Sequence, residues 1–487
     1  MTGELEIELK LEADPGGLDA LAQAPILADA KLDAREQVST YFDTPRRELR
    51  AAGVSLRIRR IDARYVQTVK AEGASAAGLF ARPEWEGDVP DEAPVIDEAA
   101  GPLTTLLSEK VLGSIAPAFT VEVTRSTGRF HYEGGEIEVV LDRGRIFTGN
   151  RTVPVNEVEL ELKAGRSDAL FALARAMNAV TPLRLGVLSK SERGYRLAGK
   201  ANPKSLKAEP VVVGANMSVA EVFQAVAGAC LRHFRLNEAI LERTGGAEAL
   251  HQARVALRRL RSALSLFKPL LADDRFEWMR TELRWLAATL GEARDIDVLL
   301  GRAEAGSVKL LRVARSRAYA DVHAALSSQR ARDLMIDLSE WIAIGRWRME
   351  PADPGLRDRR ADRFAAEMLQ QLRRRLKRRG RELLQLSDEE RHEVRILAKK
   401  LRYASEFFVG LFSGKKVERR STRFLAALET LQQHLGDLND LAHGPSVLAR
   451  LGIDVGDEGV PAERREKLLG KAAEAHAELA DTKPFWR

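Results

Sequence analysis

A chain of 487 residues, 45% hydrophobic and 30% charged, is too long for one ordinary core and too polar for a membrane protein, so two or three soluble domains are expected. Its single cysteine, Cys230, excludes an internal disulfide and any multi-cysteine zinc site. The net charge of +6 is unevenly divided: residues 1–200 hold 26 Lys+Arg against 31 Asp+Glu, and residues 201–487 hold 51 against 40, which directs the second half toward an anionic partner.

The chain opens with neither a basic stretch followed by a hydrophobic run nor any apolar run of bilayer length, so a cytoplasmic address without a membrane partner is expected. The first element is "ELEIELKLE" (4–12). Glu4, Glu6, Glu8, Lys10 and Glu12 share one parity, and Leu5, Ile7, Leu9 and Leu11 share the other. A strand sorts these onto opposite faces, one aliphatic and one nearly all acid. Further alternating segments follow at "VSLRIRR" (54–60), "FTVEVTR" (119–125), "EIEVVLD" (136–142) and "NEVELELK" (156–163), with one helix predicted at "SDALFALARAMNAV" (167–180). Short alternating strands divided by Gly, Pro and Asp turns predict an antiparallel sheet or barrel.

"NEVELELK" repeats the acid device, with Glu157, Glu159, Glu161 and Lys163 on one parity. The strands between carry the opposite sign: Arg57 and Arg59, Lys70, Arg125 and Arg129. "RPEWE" mixes both, with Arg82, Glu84 and Glu86 in alternation. A lone charged face is commonly a wet edge. Convergence of all these faces would instead line a lumen with carboxylates on one side and guanidinium and ammonium groups on the other, and a barrel of about eight strands encloses one small ligand. A hard divalent cation held by carboxylates, together with a polyphosphate held by Arg and Lys, satisfies both linings.

At this point the first 200 residues resemble the CYTH family, the triphosphate tunnel metalloenzymes. The resemblance rests on "EIELK" (Glu6, Glu8, Lys10), then in order "YFDTP" (41–45), Arg57 and Arg59, Lys70, "RPEWE", Asp142, "EVELELK" and "LSKSERGY" with Lys190. It implies a closed antiparallel tunnel that hydrolyses triphosphates with Mg²⁺ or Mn²⁺. Carried onto this chain, it implies Glu6, Glu8, Glu159 and Glu161 as metal ligands, helped by Asp142. Lys10, Arg57, Arg59, Lys70, Arg125, Arg129 and Lys190 would line the phosphate path. The residue that takes the proton of the attacking water is left open among Glu84, Glu86 and Glu157.

A Lys/Pro/Gly-marked linker (201–216) leads into a helical half, residues 217–487, with breaks near 346–358 and 451–463. The fold class expected for the whole is α+β multidomain, a barrel followed by tandem helical bundles. "HQARVALRRLR" (251–261) and "HEVRILAKKLR" (392–402) match, as do "LGEARDID" (290–297) and "LGDLNDLA" (435–442), each read as the end of a second helix and an acidic turn. His251, Arg254, Arg258 and Arg261 share one helical face, as do His392, Arg395, Lys399 and Arg402, opposite the leucines. One such face is usually solvated; its duplication predicts a continuous positive groove. Neither His251 nor His392 has a second His or Cys at ligand spacing, which argues against a metal there.

These motifs, over roughly 216–450, resemble the CHAD family. That resemblance implies binding of inorganic polyphosphate through the eight residues just named. The reading of the whole chain is an inorganic triphosphatase with a polyphosphate-binding helical domain, associated with polyphosphate granules. A non-catalytic polyphosphate adaptor stays open, as do a cyclase and triphosphatases acting on thiamine triphosphate, nucleotides or RNA 5′ ends. Nucleic acid is the weaker anion for the helical half, since aromatics do not interleave with its basic positions; Tyr403 is isolated.

Overall fold

The structure, a computed structural model, describes residues 4–71, 74–76, 78–96, 101–199, 203–303, 305–351, 353–452 and 462–487. The side chain of Glu4, residues 201 and 202 of the expected linker, and residues 453–461 of the second break lie outside the described residues. The chain divides into two compact units, Met1–Lys204 with Leu326–Gly345, and Ser205–Ala325 with Arg346–Arg487. Among the described residues no helix is long and apolar enough to cross a membrane.

The first unit contains strands β1 (Glu4–Ala13), β2 (Asp33–Asp43), β3 (Val54–Ile61), β4 (Arg64–Ala71), β5 (Ala74–Ala76), β6 (Leu79–Val89), β7 (Ala116–Tyr132), β8 (Gly135–Thr148), β9 (Arg151–Gly165) and β10 (Leu183–Leu185). They pair in the order β10-β1-β9-β8-β7-β2-β3-β4-β6-β5, and β1 also pairs with β6. Eight strands thereby close into an antiparallel barrel, with β10 and β5 appended. Numbering only helices of eight residues or more, the chain adds α1 (Pro15–Ala22), α2 (Asp168–Val180), α3 (Lys190–Leu197), α4 (Val219–Thr244), α5 (Ala247–Leu266), α6 (Phe276–Leu300), α7 (Ala305–Ser327), α8 (Gln329–Ile344), α9 (Ala361–Arg379), α10 (Asp388–Phe408), α11 (Lys415–Arg450) and α12 (Ala462–Asp481).

Strand parity decides which way this barrel is turned. Leu9 and Leu11 of β1, Val158 and Leu160 of β9, and Ile137 and Val139 of β8 are all fully buried on the outer face. There α2 lies over the three strands, contributing Leu170, Phe171, Leu173, Ala174 and Met177 at zero exposure. Truncating one of these leucines would cost about 2–5 kcal/mol. The aliphatic face therefore supplies the core outside the barrel, and the charged parity is forced inward, so that Glu8, Lys10 and Glu159 are buried as well.

Toward one end the inward parity turns apolar. Tyr41 of β2, Phe119, Val121 and Val123 of β7, Ile146 of β8 and Val155 of β9 form a cluster with Tyr195 of α3. A side chain at Gly194 would place its Cβ 2.1 Å from the Phe119 ring, so glycine lets α3 seat on this floor. "YFDTP" has a structural part in the arrangement. Buried Asp43 accepts hydrogen bonds from the Thr44, Leu49 and Arg50 amides and, at 2.6 Å, from the Tyr195 hydroxyl.

A helix from the second half of the sequence belongs to this first unit. Helix α8 packs on α2, with Arg175 Nη1 donating to Asp337 and Glu340 at 3.0 Å and Asn178 Nδ2 donating to Asp333 at 2.6 Å. In the second unit, α5 packs on α4, α6 and α10, and α10 packs on α9 and α11. The expectation that each "LG" motif ends a helix at an acidic turn is corrected. Leu290-Gly291 and Leu435-Gly436 lie inside α6 and α11, which run on to Leu300 and Arg450. Neither site carries a proline to stop the helix, and a single interior glycine costs only about 1 kcal/mol.

Candidate functional site

The barrel encloses a cavity of about 550 Å³. Register explains its lining. Across β1 and β9, Glu8 stands opposite Glu161 and Lys10 opposite Glu159; across β8 and β9, Glu138 stands opposite Glu161. The adjacent strands β1, β9 and β8 thus present Glu6, Glu8, Glu138, Glu159 and Glu161, while β3 presents Arg57 and Arg59 from the far wall and β7, next to β8, presents Arg125. Lys70 of β4, Arg82 and Glu84 of β6, and Lys190 at the start of α3 complete the ring.

Most of these charges are paired in place. Lys10 bonds both Glu8, at 3.0 Å, and Glu159. Arg82 reaches Glu8 at 2.6 Å, and Lys70 bridges Glu6 at 2.5 Å and Glu84 at 3.2 Å. Lys190 meets Asp142 at 2.8 Å, Glu157 at 2.6 Å and Glu159 at 2.9 Å, while Arg125 grips Asp142 with two nitrogens and reaches Glu159 at 3.0 Å. Burial alone would raise these carboxyls, but Lys10, Lys70 and Arg82 hold Glu8 at about 2, and Lys10, Lys190 and Arg125 hold Glu159 well below its usual range. Lys10 and Lys190 are correspondingly pushed up, against burial, by the carboxylates around them.

In two places ion pairing does not offset burial and like charge. Glu6 and Glu161 are raised, first by burial and then by neighbouring carboxylates, Glu8 and Glu84 for the one, Glu6 and Glu138 for the other. Arg59 is lowered to about 9 by burial and by Arg57 and Arg125, and it makes no ion pair among the described residues. One region of the lumen has surplus negative charge and another surplus positive charge.

Oxygen-only donors such as Glu6, Glu8, Glu138 and Glu161 suit a hard divalent cation, and the mutual repulsion that raises Glu6 and Glu161 is what such a cation relieves. Among the described residues no three metal-binding side chains are already gathered at ligating distance; Lys70 and Lys163 hold Glu6 and Glu161, each at 2.5 Å. Of the ligands expected from sequence, Glu6, Glu8 and Glu161 fit this donor set. Glu159 has both oxygens taken by cations, Oε1 by Lys10 and Lys190 and Oε2 by Arg125.

Of the expected phosphate-path residues, the cavity lining contains Lys10, Arg57, Arg59, Lys70, Arg125 and Lys190. Arg129 is outside it, with its side chain 50% exposed and 3.5 Å from Glu136 and Glu138. Glu138, Arg82 and Tyr41 are lining residues that the sequence reading did not single out as site residues. Parity could have found Glu138, which shares the phase of Asp142 in "EIEVVLD".

The basic helices α5 and α10 of the second unit face each other. Arg258 Nε donates to the Tyr403 hydroxyl at 3.0 Å, and Lys400 Nζ to Ser265 at 2.7 Å. Arg254, Arg258, Arg395 and Lys399 crowd one another closely enough that burial and their mutual repulsion lower Arg254 and Arg395 and bring Lys399 to about 6. The motif aspartates partly balance them, with Arg254 3.2 Å from Asp295 and Asp440 acting on Arg395. The repeats differ at the histidines. His392 Nδ1 lies 2.7 Å from Asn439, whereas at the equivalent place Arg294 joins burial in lowering His251 to about 4. Arg261 and Arg402 do not join the cluster: Arg402 pairs with Glu406 at 2.8 Å, and Arg261 neighbours Arg280 and Arg284.

A model of the CYTH domain matches residues 4–195 and a model of the CHAD domain matches residues 225–449, and the chain carries a CYTH domain followed by a CHAD domain. It is 31% identical over 202 residues to an inorganic triphosphatase of Haemophilus influenzae, covering 40% of this chain and 55% of that protein, so the chain spans little more than half the length of this curated relative. Among solved structures it is similar to the CHAD domain of the plant Ricinus communis, with 32% identity over 57% of this chain and 97% of that one and a TM-score of 0.47. It is also similar to the putative adenylyl cyclase HpAC1 of Hippeastrum, with 19% identity over 39% and 95% and a TM-score of 0.31.

Proposed function

We propose that the barrel hydrolyses inorganic triphosphate to pyrophosphate and phosphate with Mg²⁺ or Mn²⁺, and that the helical unit binds inorganic polyphosphate. The observation that carries the first part is the sorting of charge inside one lumen, where Arg59 has no ion pair among the described residues and is lowered by burial and by Arg57 and Arg125, while Glu6 and Glu161 are raised by burial and neighbouring carboxylates. The activity named for the Haemophilus relative supports the reaction class.

The chain's residues act through charge. Arg59 and Arg57 take the phosphate oxygens, relieving a repulsion that already exists between them, and Arg125 and Lys70 hold the chain in line. Glu6, Glu8, Glu138 and Glu161 would hold the divalent ion, which supplies charge neutralisation and a water of lowered pKa. Three carboxylates were open as acceptors for the water's proton. Glu157 is tied to Lys190 and Arg193, and Lys70 and Arg57 hold Glu84 below its usual range against burial. Glu86 accepts a hydrogen bond from the Thr68 hydroxyl at 3.1 Å, faces Arg59, and has no ion pair among the described residues, which favours it as the proton acceptor.

An inorganic substrate is favoured by the aromatic side chains of the lining. Trp85 packs outward against the apolar cluster of Phe42, Leu56 and Val69 with Gly101 against its ring, and Tyr41 stacks on Phe119 at 4.7 Å. Both are engaged in apolar packing, which leaves less aromatic face for a base or thiazole ring. Phosphate release by the full chain from tripolyphosphate, thiamine triphosphate and ATP, with Mg²⁺ or Mn²⁺ and with chelator, tests the reading. Tripolyphosphate turnover that chelator abolishes is expected; binding without turnover would favour the adaptor.

For the helical unit, the crowded cations of α5 and α10 support capture of a polyanion, and granule association would follow from it. Competition between labelled polyphosphate and single-stranded RNA checks this, with preferential RNA retention reversing the assignment.

A further inference from the structure

Lys399 differs from the other lysines that crowd the two charged sites. Lys10, Lys70, Lys163 and Lys190 each touch at least one carboxylate. Its neighbour Lys400 donates to Ser265. Lys399 lies half-buried in the α5–α10 groove, and among the described residues its amine has neither a hydrogen-bond partner nor an ion pair. The charged groups that act on it are Arg254 and Arg258 from α5, Arg395 from its own helix, and Asp440 from α11. Three guanidinium groups, with Asp440 and the Asp295 partner of Arg254 as the balancing carboxylates, leave this a cationic nest with an amine in it.

An amine desolvated beside other cations is an activated nucleophile. The groove supplies that environment, and the amine stands well below the ordinary lysine range, at about 6, through burial and the three arginines. The same arginines are forked donors suited to phosphate oxygens. A reagent with an electrophilic carbon joined directly to a phosphate would meet both features at once.

We propose that Lys399 is an acylation site that takes its acyl group from a small acyl phosphate whose phosphate is seated by Arg254, Arg258 and Arg395. The Lys399 nitrogen attacks the carbonyl carbon and forms an amide bond. The bond from that carbon to the phosphate oxygen breaks, its electron pair leaves on the phosphate, and the proton shed by the nitrogen passes to the departing phosphate. The product has lost its chargeable amine, so acylation would weaken the grip of the groove on polyanions. That consequence rests on the polyphosphate reading; the acylation itself does not.

The test treats the full-length protein with acetyl phosphate near pH 7.5 and locates acetyl-lysine by fragmentation mass spectrometry of Glu-C peptides. Lys399 should be modified faster than Lys400, whose amine is also lowered by burial and by Arg375 but which lacks the three-arginine seat for the phosphate. Inorganic phosphate should protect it, and Arg254→Gln should slow it. N-acetylimidazole, which has no phosphate, should show no phosphate protection. Equal labelling of Lys399 and Lys400, or labelling by acetyl phosphate that phosphate and Arg254→Gln leave unchanged, would overturn the proposal. Polyphosphate retention by the untreated protein is measured separately: retention without selective labelling defeats only the acylation site, and selective labelling without retention defeats only the polyphosphate reading.

Discussion

The barrel lumen and the α5–α10 groove are both rich in Arg and Lys, yet they treat charge in opposite ways. In the lumen, cations alternate with carboxylates, and Lys10 and Lys190 are pushed up by the acids that hold them. In the groove, cations face cations, and Arg254, Arg395, His251 and Lys399 are all pushed down. Burying a charge without a partner is expensive, so the lumen can bury its cations deeply only by interleaving acids. The groove keeps solvent and accepts repulsion instead. A lumen of this kind suits a ligand that brings both signs, a divalent ion with a condensed phosphate, whereas a groove with surplus positive charge suits a bare polyanion.

The most damaging way to break the lumen is at its acids. Glu161→Gln should lower tripolyphosphate turnover by about 10³ while thermal melting stays close to the parent, because Glu161 is only partly buried and its partner Lys163 can reach Glu138, 3.4 Å away. Glu8→Ala should abolish turnover too, but it strands Arg82, removes one of the two carboxylates of Lys10, and should destabilise the fold by about 3–5 kcal/mol. Equal melting of the two variants would mean that the lumen charges are not sorted as argued. Next in size is Glu86→Gln, expected to lower kcat by about 10² with little change in KM. Full activity of that variant would return the proton to one of the paired acids.

The groove should yield smaller, pH-dependent effects. Arg395→Ala is expected to weaken polyphosphate binding about tenfold, and more weakly at high salt. The sign of the pH effect follows from Lys399. Its amine is neutral above about pH 6 in the free protein, and a bound polyanion raises it toward the ordinary 10.5. The complex therefore holds more protons than the free protein above pH 6, and affinity should fall as pH rises, by at most about tenfold per unit. Without ligand the unfolded chain is the more protonated state over that window, so Lys399 makes the fold gain stability as pH rises from about 6 toward 10.5. Titration calorimetry of Lys399→Arg, whose charge does not titrate there, should show a flatter slope; an unchanged slope would remove Lys399 from the site.

Much of the barrel is legible in the sequence because its determinant is a parity rule with both faces satisfied. "ELEIELKLE" can bury its leucines only by turning its glutamates the other way, and the outer cover from α2 makes that direction inward. The fate of each carboxylate is less legible. Glu159 and Glu161 look equivalent in "VELELK", yet register places the first opposite Lys10 and the second opposite Glu8 and Glu138, so one is locked by cations and the other left strained. Nor does local pattern show that α8, some 150 residues beyond α2, completes the first unit; the Arg175–Glu340 pair is a long-range fact. In the helical half the repeat correctly juxtaposes the two basic faces, but Glu406, which withdraws Arg402, sits outside the repeated motif.

The smallest expected effect sharpens the limit of the parity rule. Arg125 and Arg129 stand on the same face of β7, four residues or about 13 Å apart, and alternation alone ranks them equally as phosphate ligands. The strand is 17 residues long, long enough that its face passes from the apolar floor at Phe119, through the charged lumen at Arg125, to a stretch beyond the lining. There Arg129 is half exposed and only loosely paired with Glu136 and Glu138. Exposed pairs of this kind contribute at most about 1 kcal/mol. Arg129→Ala should therefore change tripolyphosphate kcat/KM by less than about twofold, whereas Arg125→Ala, which leaves buried Asp142 and Glu159 with one cation fewer each, should lose both activity and stability. A large loss in Arg129→Ala, measured at low and high salt, would show that the charged path extends past the lumen toward the end of β7, and that the sequence pattern was the better guide to its length.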